Sequence, residues 1–126
     1  MAECAFCNLP ADRIIGETSL TITIRDGFPI SPGHTLIISK RHFCSFFEAT
    51  PDEERELLKA LHDAKAKLDY EFSPMGYNIG INDGSAAGQT IPHLHIHLIP
   101  RYEGDAKHPR GGVRWIIPEK AAYWKK

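Results

Sequence analysis

Apolar positions along the chain change their period twice, and those changes outline the fold. Ile14–Glu17 and residues 20–24 read as short strands, with Leu20, Ile22 and Ile24 alternating with threonine. Asp26-Gly27-Phe28-Pro29 and Ser31-Pro32-Gly33 carry turn chemistry, and residues 34–39 form a β-rich apolar run suited to a central strand. The period then becomes helical. Thr50 is placed to cap a helix, Pro51 suits its first turn and Glu53 completes a capping box. Leu57, Leu61, Ala64, Leu68 and Phe72 follow at helical spacing until Ser73-Pro74 stops the run. Residues 77–82 read as another strand. A loop of small residues, Asn82 to Thr90, feeds a last strand, His93-Leu94-His95-Ile96-His97. Strands, one long helix and more strands predict an α+β fold: a mainly antiparallel β-sheet with one long helix packed on it.

That last strand carries the chemistry. Its alternation puts three imidazoles on one face and Leu94 and Ile96 on the other. Alternate residues lie roughly 6.5–7 Å apart, so one small anion can touch two of them. Two chemistries fit. In one, a neutral imidazole attacks phosphorus and holds the transferred group until water releases it, while its neighbours donate to phosphate oxygens or protonate the leaving group. In the other, two histidines and a third ligand hold a catalytic zinc. No carboxylate completes that site well, because Glu103 and Asp105 lie beyond Pro100. The preceding Gly88-Gln89-Thr90 favours phosphate, offering backbone N–H groups as an anion nest and a hydroxyl.

Composition changes this picture little. The chain has 126 residues, 42% hydrophobic and 25% charged, which suits one domain. No apolar run is long enough to span a bilayer, so no membrane partner is expected. The start, Met1-Ala2-Glu3-Cys4, lacks the basic and apolar regions of a secretory leader, and the expectation is a cytoplasmic protein. Residues 101–126 carry seven Lys/Arg against three acids, a net +4 set against −5 for the remainder. A basic segment after the histidine strand suits an anionic substrate or is simply solvated. Without interleaved aromatic platforms, polymeric nucleic acid is not an expected partner.

The run from Gly88 to Arg101, GQTIPHLHIHLIPR, resembles the signature of histidine triad proteins, and the resemblance extends upstream through Ser31-Pro32-Gly33-His34 to His42. It covers roughly residues 4–105, leaving 106–126 as a C-terminal extension of a single domain, 1–126. The resemblance implies a HIT-like fold and a nucleotide hydrolase that cleaves dinucleoside polyphosphates or nucleoside phosphoramidates at the α-phosphate. It makes His95 the nucleophile, His97 a phosphate contact and His34 an additional active-site histidine. It makes Gly88, Gln89 and Thr90 the phosphate loop, Asp26 an acceptor for ribose hydroxyls and Asn82 a polar neighbour of the scissile bond. For Asp26 and Asn82, a turn residue bonding its own backbone is the competing reading. The resemblance further implies a nucleotide substrate, an adenine nucleotide first, a homodimer, and Mg²⁺ accompanying a polyphosphate. Trp115, Tyr123 and Trp124 suit a dimer interface or a partner's active site, or packing on their own sheet. A nucleotidyltransferase or phosphorylase, and a non-catalytic nucleotide-binding adaptor, are the rival functions.

Three cysteines are too few for a disulfide framework. Cys4-Ala5-Phe6-Cys7 is a CxxC pair with no room for a strand before it, which argues against a thioredoxin-like role. One branch of the resembled family holds a structural Zn²⁺ with two such cysteines and two histidines, matching Cys4, Cys7, His42 and His93 here. That assignment leaves His95 and His97 for chemistry. Cys44 reads as a small core residue and His62 as surface.

Overall fold

The computed structural model describes residues 4–125. Met1–Glu3 and Lys126, which entered the leader and tail-charge readings, lie outside the described residues. Five strands, β1 (Ile14–Glu17), β2 (Thr21–Arg25), β3 (Thr35–Ser39), β4 (Gly76–Gly80) and β5 (His95–Arg101), form one antiparallel sheet in the order β1-β2-β3-β5-β4. The long helix α1 (Pro51–Phe72) lies between β3 and β4 in sequence, and a short helix, α2 (Pro118–Ala121), follows a 3₁₀ turn over Gly112–Ile116. No helix among the described residues is long and apolar enough to cross a membrane.

The capping box at the start of α1 forms as its sequence predicts. The Thr50 hydroxyl accepts from the Glu53 N–H at 3.1 Å, and the Glu53 carboxylate accepts from the Thr50 N–H at 2.9 Å. A further partner was not legible. Arg41 clamps the same carboxylate with two hydrogen bonds, at 3.0 and 2.8 Å, and Glu53 is only 4% exposed. The segment that carries His42 is thereby tied to the helix start. At the other end Ser73 adopts the left-handed conformation, φ 48°, and its N–H closes on the Asp69 carbonyl.

One face of α1 packs on the sheet. Leu57, Ala60, Ala64 and Leu68 meet Ile37, Leu94, Ile96 and Leu98 in a continuous core. Full burial of each leucine contributes about 2 kcal/mol. Of the expected stripe, Leu61 is only partly buried and Phe72 lies at the margin. His62 is exposed on the helix, as expected. Cys44 is not a core residue: it lies exposed beside Phe43, which takes the core position, and its thiol donates to the Pro92 carbonyl at 3.2 Å.

Two boundaries differ from the sequence reading. The strand expected over 77–82 leaves the sheet after Gly80, so Ile81 and Asn82 belong to the loop. The histidine strand begins at His95, not His93. Its ladder partner β3 ends at Ser39, one residue past the His95–Ile38 pair, so nothing remains for His93 to pair with. The His93 N–H instead bonds the Ile91 carbonyl at 2.8 Å, and the Leu94 N–H bonds that of Phe43 at 2.7 Å.

Candidate active site and metal centre

The face of the sheet opposite α1 is divided in two. Over β2 and β3 it is closed by the N-terminal segment, where Phe6 packs with Ile24, Leu36 and Ile38, and Cys4 and Leu9 lie against them. Over β5 and β4 it opens into a cleft of about 600 Å³ that His34, His97 and Asp26 share. Gly80 sits opposite His97 in the ladder, and the missing side chain leaves open space there. Gly33, at φ +86°, lets the turn before β3 press on α1, because a Cβ there would lie 2.8 Å from Leu68. That close turn delivers His34 to the cleft. His95 lies on the boundary, 7% exposed, with Phe6 edge-on to it at 5.0 Å and His97 at 5.1 Å.

Backbone partners set the tautomers of His95 and His34, and His34 in turn sets that of His97. His95 Nδ1 lies 2.8 Å from the His93 carbonyl. A carbonyl only accepts, so Nδ1 carries the proton and the neutral ring keeps its lone pair at Nε2. His34 is set the other way. Its Nδ1 accepts from the Ile30 N–H at 3.2 Å, so its proton is on Nε2. That Nε2–H donates to His97 Nδ1 at 2.9 Å, with the Asp26 carboxylate at 3.3 Å. His97 accepts at Nδ1 and therefore carries its own proton at Nε2. Burial pushes both pKa values below the ordinary histidine value, and for His97 the neighbouring His95 and His34 add to it. Asp26 pulls both partly back. In their neutral forms, His95 offers an acceptor at Nε2 and the adjacent His97 a donor at Nε2–H.

Cys4, Cys7, His42 and His93 converge on the closed side, with their ligand atoms all within 4.8 Å of one another. The sulfur-to-nitrogen distances are 3.3 Å for Cys4–His93, 3.3 Å for Cys7–His42 and 3.6 Å for Cys7–His93, and the two Nδ1 atoms lie 3.2 Å apart. Zinc–ligand bonds of about 2.3 Å to sulfur and 2.0–2.1 Å to nitrogen put tetrahedral neighbours roughly 3.3–3.8 Å apart. These four separations lie in or close to that range. His93 Nε2 donates to the Ser39 carbonyl at 2.6 Å, which leaves Nδ1 free to bind a metal.

Asp26, His34 and His97 also bring three possible ligand atoms within 4.8 Å. They do not make an equivalent site. A metal on His34 Nε2 would require that nitrogen's lone pair, while the Ile30 N–H already requires the lone pair at Nδ1. A neutral imidazole has only one such lone pair.

The remaining candidates are placed as follows. The Asp26 carboxylate accepts from the Phe28 N–H at 2.8 Å, so it shapes its turn and also faces His34. Asn82 lines the cleft and is exposed. The loop at Gly88 and Gln89 is not an open anion nest, because their N–H groups bond the Ser85 and Gly84 carbonyls at 3.0 and 3.1 Å. The Gln89 amide holds the loop in shape, accepting from the Gly84 N–H and donating to the carbonyls of Cys44 and Ile91. Thr90 remains exposed at the end of this loop. The basic tail contributes no lysine or arginine to the cleft lining. Arg114 donates to the Ala121 and Lys120 carbonyls, Arg110 lies over the Trp124 ring, and Arg101 pairs with Asp105. The tail instead brings Val113, Trp115 and Ile116 to the cleft, which no periodicity in the sequence announced.

The HIT domain pattern matches residues 10–104. Among curated relatives, the chain is similar to the protein hit of Bacillus subtilis, 34% identical over 82% of this chain and 74% of that one. It is 37% identical to the asymmetrical bis(5'-nucleosyl)-tetraphosphatase of Schizosaccharomyces pombe over 74% of this chain, which spans about half (51%) of that longer protein. Among solved structures, a zinc-bound histidine triad family protein from Mycobacterium smegmatis superposes with a TM-score of 0.73 at 33% identity, over 81% of this chain and 77% of that one. With the pattern matched over most of its length and relatives above 30% identity, the chain belongs to the histidine triad (HIT) family.

Proposed function

We propose that the protein is a nucleotide hydrolase that cleaves dinucleoside polyphosphates or nucleoside phosphoramidates at the α-phosphate through a nucleotidyl-His95 intermediate. The observation that carries this reading is the opposed tautomers of His95 and His97. His95 presents a lone pair at Nε2 and His97 a proton at Nε2, the pairing that nucleophilic attack on an anion requires. Similarity to a tetraphosphatase supports the same reaction class.

In the first step His95 Nε2 bonds to the α-phosphorus as the bond to the leaving group breaks and that group departs with the electron pair, as a phosphate anion or, from a phosphoramidate, as an amine that takes a proton from solvent. His97 Nε2–H donates to a phosphate oxygen, lowering the energy of the charge that develops there. His34 keeps the His97 proton on that nitrogen and acts as a positioning residue. Water then attacks phosphorus and gives up a proton to solvent, the N–P bond breaks with its electron pair returning to Nε2, and a nucleoside monophosphate and neutral His95 result. Asp26 and Asn82, which line the cleft, would contact the ribose and phosphate, Thr90 would donate to phosphate from the end of its loop, and Gly88 and Gln89 act by shaping that loop. Magnesium accompanies a polyphosphate substrate rather than belonging to the protein.

Cys4, Cys7, His42 and His93 would hold a structural Zn²⁺, which when bound supplies a cross-link between the N-terminus, the segment after β3 and the entry to β5. Since the His93 carbonyl sets the His95 tautomer, the same four residues hold the nucleophile's support in place.

The test is turnover of diadenosine triphosphate, diadenosine tetraphosphate and adenosine phosphoramidate, with products analysed in the presence and absence of inorganic phosphate. Release of AMP without phosphate, and its abolition in His95→Asn, is the expected result. A product that appears only with phosphate makes the protein a phosphorylase. Nucleotide binding with no turnover makes it an adaptor.

A further inference from the structure

The cleft has a wall that the family match does not include. The match ends at residue 104, yet Val113, Trp115 and Ile116 line the same cleft as His34 and His97. The segment that carries them is braced by itself. The Trp115 indole N–H donates to the Arg110 carbonyl at 2.8 Å, and Arg114 donates to the Ala121 carbonyl at 3.0 Å. Ala121 is fully buried beneath it. The segment meets the sheet at Gly112, φ +45°, where a Cβ would stand 3.2 Å from the Asn78 amide nitrogen. Glycine at this point allows the close approach.

The faces so presented are apolar and uncovered. Ile116 is 78% exposed and Val113 61%, and Phe28 and Ile30 of the same lining are 91% and 74% exposed. Apolar side chains gathered around one concavity mark a ligand surface rather than a solvated one. The lining holds no lysine or arginine, so this end of the cleft is unsuited to a polyphosphate chain. It suits a flat, weakly polar group attached to a phosphate that lies at the histidine end.

We infer that the C-terminal segment 112–116 determines specificity, with Trp115, Val113 and Ile116 forming the wall that receives the heteroaromatic base of the nucleotide. Trp115 is held by its own hydrogen bond and offers an indole surface that is fixed before binding. This rests on the nucleotide reading of the site but not on turnover, so binding tests it separately.

The experiment is calorimetric titration of the full-length protein with AMP, ribose 5-phosphate and inorganic phosphate, for wild type and for Val113→Asp/Ile116→Asp. Both replaced side chains are mostly exposed, and unchanged circular dichroism and melting temperature verify the fold. Expected is at least a tenfold loss of AMP affinity with ribose 5-phosphate and phosphate unchanged within twofold. In Trp124→Phe, AMP should quench the remaining Trp115 fluorescence and ribose 5-phosphate should not. Tyr70→Ser, on the outer face of α1, should leave all three affinities unchanged. AMP affinity equal to wild type, absence of AMP binding in wild type, or equal weakening of all three ligands overturns the inference. AMP binding that depends on the wall, together with no hydrolysis of any substrate, would preserve it and reject the hydrolase.

Discussion

The two halves of the histidine face use the same side chain to opposite ends. In the closed half, a backbone carbonyl takes the Nε2 proton of His93 and frees Nδ1 as a ligand. In the open half, a backbone amide takes the Nδ1 lone pair of His34 and makes Nε2 a donor. Both halves gather potential metal ligands within the same distance. Proximity therefore does not separate a metal centre from a hydrogen-bonded relay. The polarity of the nearest main-chain group does, because it decides which nitrogen keeps its lone pair.

The strongest way to break this comparison is to remove His95, the proposed nucleophile between the halves. His95→Asn should reduce kcat by on the order of 10⁴-fold with folding and zinc content unchanged. Near-normal turnover would place the chemistry elsewhere. Next is the closed half. Cys4→Ser should abolish zinc binding and lower stability by several kcal/mol, read by metal analysis and denaturant unfolding. Wild-type protein should hold one equivalent of zinc. A second equivalent lost in Asp26→Asn would show that the open half binds metal after all.

A smaller effect is expected in the open half. His34→Ala should lower kcat roughly 10²-fold and leave KM nearly unchanged, since it releases the His97 proton without removing a substrate contact. Glu53→Gln should weaken the Arg41 clamp and cost about 1–2 kcal/mol of stability. The smallest effect is with pH. The pKa values of His34 and His97 are lowered from 6.5 by folding, so the folded state binds protons less readily than the unfolded chain. Their contribution to stability is complete above pH 6.5 and is lost as pH falls through the folded values. In denaturant unfolding from pH 7.5 to 5, the paired variant His34→Gln/His97→Gln should show a shallower loss than wild type.

How much of this was legible depends on the range of the interaction. The capping box at Thr50 and Glu53 could be read because both partners lie within one helical turn. The burial of Ile96 between His95 and His97 could be read because pleating dictates it within β5, whereas Leu94 reaches the same core from just ahead of the strand. The start of β5 was misplaced because it depends on where β3 ends, some 55 residues away in the chain. Gly88 and Gln89 offered N–H groups on paper, but the loop closes on its own carbonyls. The tail showed its positive charge in the sequence, but Arg110 and Arg114 are engaged within the tail and its apolar residues line the cleft.

By itself the sequence determined the order of most elements, which follows from local periodicity, and carried the resemblance to the family, whose motifs are of short span; that Cys4, Cys7, His42 and His93 meet was implied by that resemblance alone. Only the tertiary structure decided which imidazole nitrogen is free, which of two clusters has the donors for a metal, and which segment walls the cleft. The physical reason is that each of these rests on a main-chain group or a side-chain face brought from elsewhere in the chain, and no local pattern records its direction.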